Sequence, residues 1–198
     1  LIENASIYIQ DMSTAAALSL LSGLKAEKIA DICAAPGGKT LMLSELFPEA
    51  DIIAFDRSEK RLKLAAENFE RFGKKIKTVV SDASGIRSKG AFDLVLADVP
   101  CTNTGVIRKR PDSVWRLSPK SLEETVVLQK KILEASSALL RETGVILYST
   151  CSIEDAENGL LVRSFAAEHG FTVEKEILLL PSESHEGSYG ALLRKSNA

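Results

Sequence analysis

The chain has 198 residues, 45% of them hydrophobic and 26% charged, with a formal net charge of −2. That balance suits one globular domain with a sizeable core and excludes a disordered chain. It argues against a nucleic-acid binder held by bulk positive charge, and no apolar run approaches the roughly 18–20 residues that cross a bilayer.

The opening "LIENASIYIQDMST" has no initiating Met and no basic leader, so it reads as the cut start of a larger protein and not as a signal peptide. Residues 10–23 read as a helix, capped by Asp11 or Ser13 and ending at Gly23. The apolar run 27–33 reads as a strand, 39–47 as a helix stopped by Pro48, and 51–56 as a second strand. Residues 58–73 have a Ser cap and a terminal Gly, which predicts a helix. Strands are expected at 76–82 and 92–98, a long helix at 118–144, a strand at 145–150 and a helix at 153–170. "TVEKEILL" and "YGALLRK" close the chain as a strand pair. Strands alternating with helices imply parallel βαβ units in an open, doubly wound α/β sheet, a Rossmann-like fold with a C-terminal antiparallel pair.

In such a sheet, ligands bind outside the carboxyl ends of the strands. Those ends hold Asp31–Cys33, Asp56, Asp82, Asp98–Cys101 and Ser149–Cys151, so acids and thiols gather at one edge without a packing reason. The odd total of three cysteines argues against a disulfide framework. No CxxC occurs, and the only histidines are His169 and His185, so no metal site is expected. Free thiols in a reducing cytoplasm are the simplest reading.

"DICAAPGGKT" joins the first strand to its helix, and Gly37 and Gly38 allow backbone N–H groups to approach a ligand at a helix N-terminus. Cys33 stands where a phosphate-binding P-loop requires its first Gly, and the loop is not GxGxxG, so neither a nucleoside triphosphate nor a dinucleotide fits. Asp56 lies about 18 residues past the glycines, where an acid accepts ribose hydroxyls. Asp82 ends the third strand, within reach of an adenine. Ribose and adenine without pyrophosphate point to S-adenosyl-L-methionine.

With "DICAAPGGKT", "ADVPCTNTGVIRKRPD" and "YSTCSIEDAEN" in this order, the chain resembles the Sun (RsmB-like) group of S-adenosylmethionine-dependent RNA cytosine-5 methyltransferases, from "QDMST" to the last helix. The resemblance implies a Rossmann-like methyltransferase fold. It implies that Cys33, Ala34, Ala35, Pro36, Gly37, Gly38, Lys39, Asp56, Arg61, Asp82 and Asp98 bind the cofactor. It further implies Cys151 as the nucleophile and Cys101 as the group that assists release, with RNA, ribosomal before transfer RNA, as the substrate. Cytosine carbon 5 is a poor nucleophile, and a thiolate adding at carbon 6 pushes electrons towards it. Asp98 would bond the exocyclic amine or protonate the ring nitrogen, as a neutral or protonated carboxyl if it is desolvated. The thiolate at Cys151 is expected to draw on the N-terminus of the helix that follows.

The target base must be single-stranded or flipped out. Arg108, Lys109, Arg110 and Arg116 are candidate phosphate contacts, whereas the lysines of 71–77 read as a solvated face. Trp115 and Tyr148 offer stacking surfaces but read as core. Lys39 would orient the cofactor or the catalytic acid. The group's N-terminal RNA-binding extension is not seen before "QDMST", and "HEGSYGALLRK" departs from the group's expected aromatic pair. Two further readings stay open: a non-catalytic RNA or ribosome-assembly module that keeps the cofactor pocket, and a DNA cytosine methyltransferase using the Pro-Cys thiol. The second "TCS" thiol argues against the latter.

Overall fold

The computed structural model describes residues 8–196. Seven strands form one sheet in the order β3-β2-β1-β4-β5-β7-β6. They are β1 (Lys28–Asp31), β2 (Asp51–Asp56), β3 (Lys77–Val80), β4 (Phe92–Asp98), β5 (Leu140–Thr150), β6 (Phe171–Leu179) and β7 (Ser188–Lys195). The first five run parallel, whereas β7 is antiparallel to β5 and to β6. The closing strand pair is therefore antiparallel, as expected.

The helices are α1 (Met12–Ser19), α2 (Gly38–Leu46), α3 (Glu59–Arg71), α4 (Asp112–Arg116), α5 (Pro119–Leu139) and α6 (Gly159–His169). Strand β4 shows why two faces are covered. Leu94 and Leu96 pack with Leu18, Leu43 and Phe47, while Val95 and Ala97 pack with Leu133, Leu161 and Phe165. A strand buried on both sides reads as the continuous apolar run "LVLA". Each helix carries a local signal. Asp11 caps α1 by accepting from Ser13 N, Ser58 caps α3, and Ser118 forms a capping box with Ser121 ahead of α5. Leu62, Ala65 and Phe69 lie one helical turn apart and bury one face of α3.

Two boundaries differ most from the sequence expectation, beside shorter ends such as those of α1, β1 and β3. The long helix stops at Leu139, not at 144, because Leu140 pairs with Phe92 at the start of β5. The register shifts between Phe92 and Leu94 and absorbs the residues up to Gly144. The helix expected over 153–170 is split into a 3₁₀ turn, Asp155–Glu157, and α6 from Gly159. Asn158 breaks it because its amide is used elsewhere: Thr150 Oγ1 donates to Asn158 Oδ1 (2.7 Å) and Asn158 Nδ2 donates to Ser152 O (2.9 Å). The short α4 carries no periodicity that the sequence reading could use.

The parallel order reverses between β1 and β4, the switch point at which such sheets bind ligands. Beyond β4 the chain is pinned at Gly105, whose N–H donates to Cys151 O (3.0 Å) and whose carbonyl accepts from Gly187 N (2.7 Å). A Cβ at Gly105 would lie 2.7 Å from Gly187 O and 2.8 Å from Cys151 O, so one backbone must move. Gly105→Ala is expected to destabilise the chain by about 1–3 kcal/mol, read as a lower urea midpoint at unchanged slope. An unchanged midpoint would show that the loop is not pinned there.

Candidate functional site

The switch point brings the end of β1 against the end of β4. Asp31 is buried, with Thr40 Oγ1 donating to its Oδ2 (2.7 Å) and Cys33 N to its Oδ1 (3.4 Å). Burial pushes the Asp31 carboxyl up to about 7, opposed by the Thr40 hydroxyl and reinforced by the charge of Asp98. The loop that follows turns at Gly37, whose φ of 101° and whose contact with Phe69, 2.7 Å from an added Cβ, exclude any larger residue. Gly37 offers no side-chain cap to α2. The first backbone N–H groups of this helix therefore stay available to an anionic ligand.

Asp56 is buried beneath this loop. Its Oδ2 accepts from Ala35 N (3.2 Å), its Oδ1 accepts from Ser58 N (2.9 Å), and the Arg61 guanidinium lies 3.9 Å away. Arg61 also donates to Ala35 O, so Ala35 is held to the end of β2 through its N–H and to α3 through its carbonyl. Asp82 is exposed and caps a 3₁₀ turn through Ser84, and that hydroxyl and the Ser84 amide hold its carboxyl below the usual range. Cys33 packs against the core, and burial, with Asp31 and Asp98 nearby, pushes its thiol well up. Structurally it is a filler of the loop and not a nucleophile.

The two remaining thiols meet. Asp98 pairs with Ser149 across β4 and β5, so the loops leaving both strands start side by side. Cys101 Sγ and Cys151 Sγ are 3.1 Å apart, and Asn103 spans them: Cys151 Sγ donates to its Oδ1 (3.1 Å), while its Nδ2 donates to Cys101 O (3.0 Å). Asn103 has a φ of 63°, the only left-handed non-Gly residue among those described. The hydrogen bond from Cys101 holds the Cys151 thiol below its ordinary pKa against burial and Asp98, with the Lys39 ammonium helping. Cys101 moves the other way, raised by that same bond, by burial and by the charge on Cys151. Of the two thiols, Cys151 is therefore the one that gives up its proton first. The helix N-terminus expected to favour this begins only at Gly159, and its part is taken by Cys101 and Lys39.

Lys39 Nζ is 2.8 Å from Asp98 Oδ2, and Ser149 Oγ donates to Asp98 Oδ1 at 2.6 Å. Both carboxylate oxygens accept, which is the pattern of an ion-paired acceptor and not of the neutral acid expected from sequence. Burial alone would depress the Lys39 ammonium, but Asp98, with Cys151 and Asp31 behind it, raises its pKa.

Beneath the thiols lies a polar layer that the sequence reading missed. Glu157 is fully buried and accepts from Thr102 N (2.9 Å), from the Thr102 hydroxyl and from Gln129 Nε2 (2.9 Å). Gln129 Nε2 also donates to Pro100 O (2.9 Å), and Thr104 Oγ1 pairs with Ser152 Oγ at 3.0 Å. The signal for this layer was the acid-amide-glycine step "ENG" inside an apparent helix.

Two candidate groups are corrected. Trp115 is not core but 89% exposed, whereas Tyr148 is buried and donates its hydroxyl to Glu157 O (2.7 Å). Arg108 and Lys109 are not free phosphate contacts. Arg108 Nε donates to the buried Glu186 (3.0 Å), and Lys109 Nζ donates to Asp11 (2.6 Å). Among the described residues no group of three or more His, Cys, Asp or Glu could hold a metal, and no helix is long and apolar enough to cross a membrane.

The sequence model of the family described as "16S rRNA methyltransferase RsmB/F" matches residues 18–188. The chain is 35% identical over 193 residues to a ribosomal RNA small subunit methyltransferase B from Pasteurella multocida, covering 93% of this chain and 43% of that protein. It is 37% identical over 166 residues to the protein of that name from Photorhabdus laumondii, covering 82% and 39%. The chain thus spans about two fifths of the length of these relatives. Among solved structures, NSun6 from Pyrococcus horikoshii with SFG superposes with a TM-score of 0.87 at 31% identity, covering 100% of this chain and 55% of that one.

If the hydrogen bond from Cys101 lowers the Cys151 pKa, Cys101→Ala must raise it. The pH at which Cys151 reaches half its maximal rate of iodoacetamide alkylation is expected to move up in that variant. In Lys39→Gln it should move up as well. A downward shift in both would show that the pair does not stabilise the thiolate.

Proposed function

The chain belongs to the RsmB/F family of 16S rRNA methyltransferases, and on that premise we propose that it methylates carbon 5 of a cytidine in ribosomal RNA, from S-adenosylmethionine, through a covalent cysteine adduct. The observation that carries this reading is the thiol pair at 3.1 Å beside the Lys39–Asp98 ion pair, at the sheet's switch point. Because the chain spans only part of its relatives, its activity and its RNA are read from its own residues.

The cofactor site fits on three observations. The N-terminus of α2 has no side-chain cap and faces the crevice edge, which suits a carboxylate. Gly37 and Gly38 remove side chains from the loop, and Asp56 with Arg61 fixes Cys33, Ala34, Ala35 and Pro36 in place. Asp56 would accept the ribose hydroxyls and Asp82 would reach the adenine side of the crevice. When bound, S-adenosylmethionine supplies an electrophilic methyl group.

The remaining chemistry belongs to the chain's own residues. Cys151, as thiolate, attacks carbon 6 of the cytosine and forms the carbon–sulfur bond, and the electron pair moves to carbon 5. Asp98 holds the exocyclic amine of the base, and Lys39 keeps that carboxylate oriented. Once Cys151 is bonded to carbon, it no longer accepts from Cys101 and carries no charge. Two of the causes that raise Cys101 are then gone, and its proton becomes easier to lose. Cys101 gives its proton to solvent and, as thiolate, takes the proton from carbon 5; that C–H electron pair re-forms the carbon 5–carbon 6 double bond, the carbon–sulfur bond breaks, and Cys151 leaves as thiolate. The three free thiols suit a reducing cytoplasm.

Incubation with S-adenosylmethionine and rRNA is expected to give 5-methylcytidine. Cys101→Ala should accumulate an RNA adduct that survives denaturation, with turnover reduced by about 10²–10⁴-fold. Cys151→Ala should give neither adduct nor methylated RNA. An adduct in Cys151→Ala and none in Cys101→Ala would reverse the two roles, and methyl transfer to a base position other than carbon 5 would remove the covalent scheme.

A further inference from the structure

We propose that α4 is an RNA platform: an unpaired nucleotide flanking the target cytidine stacks on the exposed indole of Trp115, and Arg110 and Arg116 hold the adjoining phosphates. This rests on the RNA methyltransferase reading above and names the surface that the RNA occupies.

The exposure of Trp115 is a built feature. Buried Tyr148, Tyr189, Phe69 and Phe165 show that the fold has places for large rings, yet Trp115 is left 89% exposed with Val114 half exposed beside it. The helix under it is held firmly. Ser113 is buried and donates its hydroxyl to Arg110 O (2.7 Å), and Ser121 Oγ donates to Arg116 O at the far end (2.9 Å). Upstream, the same loop is anchored through Arg108 to Glu186 and through Lys109 to Asp11. A large apolar ring held rigidly in water marks an interaction surface.

Charge selects the occupant. Residues 108–116 hold four cations and one anion, and the structure divides the cations. Arg108 and Lys109, although exposed, are ion-paired with Glu186 and Asp11. Arg110 is exposed, with no ion-pair partner among the described residues, and Arg116 is paired only with exposed Asp112 on the same helix. Such a surface pair is weak and yields readily to a phosphate.

An exposed indole on a short segment that also carries two exposed arginines fits single-stranded RNA, whose bases stack on aromatic rings while arginines follow the backbone. The position fits as well. The loop that carries the platform begins at Cys101 and is bonded to Cys151 through Gly105. A cytidine drawn out to these thiols leaves its neighbour without a stacking partner, and the indole replaces it.

Trp115 is the only tryptophan of the chain, so its fluorescence reports the platform directly. Titration with a cytidine-containing single-stranded rRNA oligonucleotide should quench the indole and shield it from iodide, whereas S-adenosylmethionine alone should do neither. Trp115→Ala should bind the oligonucleotide about 5- to 150-fold more weakly, raise KM for RNA and leave cofactor affinity unchanged. Trp115→Phe should recover most of the binding. Arg110→Gln and Arg116→Gln should each flatten the salt dependence of binding by about 0.7 in log–log slope.

The platform is overturned if RNA is bound and methylated while the indole stays unquenched, or if Trp115→Ala keeps its RNA affinity and KM. Shielding that appears with protein concentration in the absence of RNA would assign the surface to a second copy and also overturn it. Quenching by RNA without methyl transfer would keep the platform and remove the catalytic reading, so the two failures are distinguishable.

Discussion

Two sulfur atoms 3.1 Å apart cannot both carry negative charge, and much of the site follows from that constraint. At least one of them keeps its proton, and the surroundings decide which sulfur gives one up first. Lys39 acts on Cys151, and the bond from Cys101 favours the charge there. Nothing comparable acts on Cys101, whose surroundings all favour the proton except the Asn103 backbone contact. In an asymmetric pair of this type, the sulfur that ionises first is set before any substrate arrives.

The sheet supplies the closeness. Asp98 is in register with Ser149, and Val99 N donates to Ser149 O (3.0 Å), so the pairing of β4 with β5 continues into the loops. The loops still need polar support where they dive below the surface, since an unpaired buried N–H or carboxylate is costly. Glu157 accepts there from Thr102 and from the Gln129 amide, and Asn158 bonds to Thr150 and Ser152. The price is the first turn of a helix, which is diverted to make these bonds.

This explains what was readable in the sequence. Strands β2 and β4 matched residue for residue, because an apolar run bounded by Asp at its end has few alternatives. The strand-end residues also gathered as expected, since a parallel sheet puts all carboxyl ends on one edge. What could not be read were the choices made by tertiary contact. Leu140 leaves a helix to pair with Phe92, Glu157 leaves one to reach Thr102, and Glu186 captures Arg108 from a distant loop. None of these residues differs in type from neighbours that behave as their local pattern predicts. The same limit applies to Trp115, because composition ranks a lone Trp as core and only the packed structure shows that its helix faces outwards.

The source of thiolate stabilisation shows how distance decides between two electrostatic effects. A helix N-terminus contributes about half a charge, and its influence fades within the first turn. Helix α6 begins well beyond Cys151, after a 3₁₀ turn and the break at Asn158, so it lies outside that range. A full charge on Lys39 and a directed S–H bond from Cys101 act at contact or near it, in a site largely shielded from water, where each counts for more than it would at the surface. Asp98 works against the thiolate, yet its ion pair with Lys39 fixes the ammonium beside the thiols. The acid that opposes a charge on Cys151 is thus the residue that positions its cation, which is why Lys39, Asp98 and the two cysteines are one electrostatically coupled group.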